Sequence, residues 1–186
     1  MTRSVLIAVS LLALNAAPAV AQVARPVPAR CAEDPAYHLL DFWLGTWDVY
    51  VGGTLDGHDR VSRILDGCDV TEEWTDADGS HGFSLFYYQP GSVPWRQVWV
   101  TERAFEPGGL KEKQLVEQRS DGTIRFQGTI VRPAGTSYLD RTTLTPLPSG
   151  EVRQVIEISR DQGGTWQLVY EARYRRPNRH SPPGPA

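Results

Sequence analysis

From Gly45 onward the chain breaks into short runs rich in Val, Ile, Thr, Tyr and Trp, and Gly, Asp or Pro interrupts them about every 8 to 12 residues. Within each run apolar and polar residues alternate, which puts one face of an extended strand in a core and the other in water. That spacing signals an all-β sandwich or barrel. Strands are predicted at 46–52, 57–66, 68–76, 81–89, 95–101, 110–119, 123–132, 137–145, 151–159 and 165–176. The pairs Asp66-Gly67, Asp78-Gly79, Asp121-Gly122 and Ser149-Gly150 supply turn residues tolerant of positive φ. Sequential hairpins favour a meander, and a meander buries its edges only by closing on itself. The expected fold is therefore all-β, a single antiparallel up-and-down β-barrel of about ten strands spanning 34–176. Ahead of it, Asp34 offers an N-cap and Pro35 a first-turn proline, so one short N-terminal helix is expected over 36–44, ended by Gly45.

A chain of 186 residues, 40% hydrophobic, is enough for one ordinary domain with a real core. Nineteen basic residues against 22 acidic ones give a formal charge of −3, so no global field draws in nucleic acid or an anionic membrane. No cluster of Lys or Arg is interleaved with aromatics as nucleic-acid stacking would demand. Residues 1–21 carry Arg3, an apolar run from Val5 to Leu14 and small residues ending Ala19-Val20-Ala21, the pattern of a cleavable signal peptide. The apolar run is too short to span a bilayer. A secreted or periplasmic location follows, with a proline-bearing linker over 22–33 and a disordered tail over 177–186. In an oxidising compartment the two cysteines, Cys31 and Cys68, are expected to form one disulfide.

Side-chain parity suggests a lumen. Trp95, Gln97 and Trp99 share a face, as do Cys68, Val70, Glu72 and Trp74, and so do Trp166, Leu168, Tyr170, Ala172 and Tyr174. Large aromatics beside isolated polar groups either fill a core or line a small-molecule cavity. On the second reading Trp74, Tyr88, Trp99 and Tyr170 supply apolar area, and Glu72, Gln97 and Gln154 orient a small apolar ligand. Glu72 and Glu73 cannot share a site, because neighbours on a strand face opposite ways. Glu72 among aromatics is either an acid of raised pKa or the partner of a lumen Arg such as Arg153. An enzyme using Glu72 and Arg153 on a small lipid-like substrate is thus one alternative. A filled scaffold for envelope protein interactions is another. The phosphate-loop, nucleophile-elbow, zinc-protease and dinucleotide motifs are absent, and the four histidines show no metal-ligand spacing, so no catalytic residue, metal or cofactor is assigned. A monomer or weak homodimer is expected.

Gly45-Thr46-Trp47, within Phe42-Trp43-Leu44-Gly45-Thr46-Trp47-Asp48-Val49, resembles the Gly-x-Trp signature of the lipocalin and calycin barrels. The resemblance implies that Trp47 plugs the closed end of the barrel beneath a cation from the last strand, Arg176 or Arg175. Residues 38–176 look like the exported bacterial lipocalin-like proteins grouped as a domain of unknown function, on Gly67-Cys68, Glu72-x-Trp74, Trp95-x-Gln97-x-Trp99 and the run from Arg153 to Trp166. It implies a fold and no reaction. Ser159, Asp161, Gly163 and Trp166 match the Asp-box pattern Ser-x-Asp-x-Gly-x-Thr-Trp of sialidases and other propellers. A single copy reads as a structural turn, with glycines at positive φ and the Trp folded back into the sheet.

Overall fold

A computed structural model describes residues 31–91, 94–102, 109–132 and 135–177. The expected leader lies outside the described residues, as do 22–30 of the linker and 178–186 of the tail. Ten strands follow in order: β1 (Gly45–Val51), β2 (Thr54–Ile64), β3 (Asp69–Asp76), β4 (His81–Tyr88) and β5 (Trp95–Thr101). The second half comprises β6 (Leu110–Gln118), β7 (Ile124–Val131), β8 (Ser137–Pro146), β9 (Val152–Ser159) and β10 (Gln167–Arg175). Each pairs antiparallel with its sequence neighbour, and β10 pairs with β1 to close the barrel. Among the described residues no helix is long and apolar enough to cross a membrane.

The expected helix over 36–44 is instead a pair of 3-10 turns, Pro35–Tyr37 and Asp41–Trp43. The N-cap is present: Asp34 accepts from the Ala36 N–H at 2.9 Å, with Pro35 in the first turn. What competes with the helix is the barrel: Trp95 Nε1 donates at 3.0 Å to the Ala36 carbonyl, which an α-helix would offer to the Leu40 N–H, and Leu40 and Trp43 are fully buried in the core. Residues 31–33, expected as linker, also form a 3-10 turn. There Cys31 is buried and bonded to Cys68. Beside this disulfide, Arg63 donates to the Gly67 carbonyl at 2.9 Å and pairs with Asp41, strapping the N-terminal arm to the β2–β3 turn.

The closed end is built on aromatic edges. Trp43 stands edge-on to Phe86 and to Tyr174, each at 5.7 Å between centroids, and its carbonyl accepts from Trp47 Nε1 at 2.8 Å. Of the two candidate cations, Arg176 takes the place over Trp47, its guanidinium carbon 3.5 Å from the ring centroid. Arg175 instead lies over Tyr50 at 4.9 Å. Gly45 makes this possible: a Cβ there would stand 2.0 Å from Arg176 Nη1, and its φ of +122° is one that L side chains rarely adopt.

On β10 the expected face is broken. A bulge shifts the register between Leu168 and Tyr170, so Tyr170, Ala172 and Tyr174 face inward while Leu168 is exposed. Trp166 lies under the Arg141 guanidinium, 3.8 Å from its centroid, on the outer face where Arg141 also meets Glu157. The hairpin before it is held as a turn. Ser159 Oγ and Thr165 Oγ1 donate to Asp161, the Thr165 N–H does likewise, and the Gly163 N–H donates to Ser159 Oγ. Those bonds, the Thr165 N–H foremost, hold the Asp161 carboxyl down at about 2. Positive φ falls on Gln162 and Gly163 rather than on the glycine pair.

Candidate functional site

Above the plug the barrel is hollow. A cavity of about 360 Å³ opens between the inward faces of the strands, a size within the range of small-molecule sites. Its inner end is fully buried at Glu72 and Lys113, and its outer end reaches Val169, which is half exposed. Packing fills only the lower half of the lumen.

Glycine shapes the upper half. Trp74 lies where a side chain on Gly57 would stand, its Cη2 2.7 Å from the position a Cβ would take, and Trp99 overlies Gly82 in the same way at 2.2 Å. Two inward positions without side chains therefore seat two indoles flat enough to leave a space between opposite walls. Neither glycine stands out in the sequence, because strand periodicity counts apolar side chains and a missing one gives no signal.

The structure brings Glu72, Trp74, Gln97, Trp99, Gln154 and Tyr170 together on this cavity wall. Tyr88 is not among them. It packs at the closed end against Tyr37 and Trp95, with centroids 4.5 and 5.8 Å away. Arg153 is not in the lumen either, since it pairs outside with Glu171 at 2.8 Å. Its neighbour Gln154 faces inward and accepts from the Tyr174 hydroxyl at 3.1 Å. The Glu72–Arg153 pairing expected from sequence is thereby excluded.

The cation near Glu72 comes from β6. Lys113, almost fully buried, reaches Asp140 at 2.5 Å and Thr142 Oγ1 at 2.6 Å, while Lys111 reaches the other oxygen of Asp140 at 2.8 Å. Burial opposes ionisation of Asp140, yet the two ammonium groups hold its carboxyl below the ordinary range. Burial also pushes the Lys113 ammonium down to about 8, against the pull of Asp140.

Glu72 takes part in a directed chain. Gln97 Nε2 donates to Ser84 Oγ at 3.1 Å, and Ser84 Oγ donates to Glu72 Oε2 at 2.5 Å. With its amide nitrogen so committed, Gln97 turns Oε1 away, and that buried oxygen has no hydrogen-bond partner. Burial pushes the Glu72 carboxyl up to about 7, although the Ser84 hydroxyl and Lys113 act the other way. Behind it Asp59, opposite Trp47 and Trp74 in the strand register, is driven well above its ordinary range by burial and then by the charge of Glu72. Farther out, the Tyr170 hydroxyl donates to Asp56 at 2.8 Å, so burial and that carboxylate keep the phenol protonated.

These directions make a stability prediction. Between an ordinary 4.5 and its folded value of about 7, Glu72 holds a proton in the native state that the unfolded chain has released. The native state is thus favoured below 4.5 and loses that advantage as pH rises through 7, by about 3 kcal/mol in full. Glu72→Gln mimics the protonated acid at every pH. Its melting temperature is expected to match wild type near pH 4.5 and exceed it at pH 8. Equal melting temperatures at both would show that Glu72 is not desolvated.

Fold and site together define a closed antiparallel β-barrel with a plugged base and a polar-floored lumen. No family model matches this chain, and no curated protein was found to be similar to it.

Proposed function

We propose that this protein binds a small molecule in the barrel lumen, without a chemical step. The observation that carries the reading is a cavity of about 360 Å³ walled by the indoles of Trp74 and Trp99 and floored by the polar side chains of Glu72, Gln97 and Lys113. The polar floor modifies the sequence expectation of a simply apolar guest: the apolar body sits between the indoles, Ile156 and Val169, and a polar end meets Gln97 and Glu72. The Cys31–Cys68 disulfide supports export to an oxidising compartment, as the leader pattern implies. The resemblance to exported lipocalin-like proteins agrees with both.

A neutral naphthylamine dye whose absorption overlaps tryptophan emission provides the test. Saturable binding at one dye per chain is expected, with energy transfer that falls when Trp74→Phe and Trp99→Phe are combined. An absence of saturable binding overturns the reading.

A further inference from the structure

Resting on that reading of the lumen, the cavity's own chemistry narrows the guest. The two ammonium groups that would attract an anion are already taken, Lys113 by Asp140 and Thr142 and Lys111 by Asp140. An incoming carboxylate would have to compete with Asp140 for both.

Charge points the same way. Asp56, Glu72 and Asp76 line the wall, and with Asp140 they set four carboxyl groups against two lysines. Two indoles bound the same space, and aromatic faces attract cations. The positive group is organic rather than a metal ion, because no cluster of three or more His, Cys, Asp or Glu is gathered among the described residues to hold one.

We infer that the lumen takes an organic cation, a protonated amine on an apolar body, with the ammonium set against the carboxyl groups of Glu72, Asp56 and Asp76 while the body lies between Trp74 and Trp99. An ammonium head supplies positive charge to this acidic wall, which a neutral alcohol does not, and a fatty acid adds a further negative one.

Three ten-carbon probes that differ only in the head group test this on the purified wild-type protein. Decylamine, decan-1-ol and decanoate are titrated at pH 7.5 against the bound naphthylamine dye. Decylamine is expected to displace the dye at least about tenfold more tightly than decanol, and decanoate to be the weakest. In Glu72→Gln the preference for amine over alcohol should shrink by about tenfold, close to the effect of one charge-assisted hydrogen bond. Should decanoate match or exceed decylamine while the dye still binds, the cation assignment falls and lumen binding stands. Should neither the dye nor any probe bind, the lumen reading itself falls.

Discussion

Trp47→Ala lowers the stability of the barrel by about 3–5 kcal/mol, the range for removing a fully buried large aromatic. Trp47 has no exposed surface, and its indole contacts three things that have no substitute. Its ring is the platform for Arg176, its Nε1–H donates to the Trp43 carbonyl, and its edge meets Tyr174 at 6.3 Å. Alanine leaves a void at the centre of the closed end and strands the guanidinium over it. Around that void the 3-10 turn Asp41–Trp43 loses one of its hydrogen bonds to the barrel and keeps the Arg63–Asp41 pair. Urea denaturation measures the loss as a fall in midpoint at unchanged slope. Because Trp47 does not line the cavity, affinity for the dye should stay within about twofold of wild type at a urea-free temperature well below melting. A stability loss under about 1 kcal/mol would mean that Trp43, Phe86 and Tyr174 close the base without it.

Asp140→Ala is the second large loss. It leaves Lys113 and Lys111 without their shared carboxylate, and Lys113 has only 2% of its side chain exposed. Breaking a buried pair by removing one partner costs about 3–5 kcal/mol, because the remaining charge must be buried alone or neutralised. Lys113 already sits at about 8 in the intact protein. Without Asp140 its pKa falls further, so at neutral pH the folded state releases a proton that the unfolded chain retains. Stability of the variant therefore rises with pH, and the deficit against wild type narrows between pH 7 and 9. A double variant, Asp140→Leu with Lys113→Met, should recover most of the loss, since apolar replacements of a buried pair are commonly neutral. A single variant with no loss at pH 7 and no pH dependence would contradict the burial of this pair.

The barrel was legible in the sequence because its signals are local. Every predicted strand has its counterpart within a few residues, since each hairpin carries its own turn chemistry and each run its own alternation. Cys31 with Cys68 follows from there being just two cysteines behind a leader-like segment, and a cation over Trp47 is what the resemblance at Gly45-Thr46-Trp47 implies; Arg176, just past β10, supplies it. The differences have other causes. At Val169 a single extra residue in β10 inverts parity upstream of it, and nothing in Gln-Leu-Val-Tyr marks where a bulge falls. Arg153 and Gln154 cannot both face the lumen, because adjacent strand residues face opposite ways, the same argument that separates Glu72 from Glu73. The β6 segment Leu-Lys-Glu-Lys-Gln carries charge on both faces, so hydropathy does not choose the inner one. A usable signal was present all the same: Lys111 and Lys113 are the only lysines in the chain and stand two apart, on one face. Asp34 and Pro35 mark how a helix starts, and nothing in 36–44 marks that tertiary contacts cut it to two 3-10 turns.

The described chain enters at Cys31 and leaves past Arg176, and both points lie at the plugged base. Among the described residues the opposite rim is made of links between consecutive strands. Lengthening or exchanging one of those links touches neither the stopper nor the last closure of the cylinder. What the vessel admits can thus be revised at one pole while what keeps it shut is conserved at the other, a division of labour that suits the scaffold to diversification by graft.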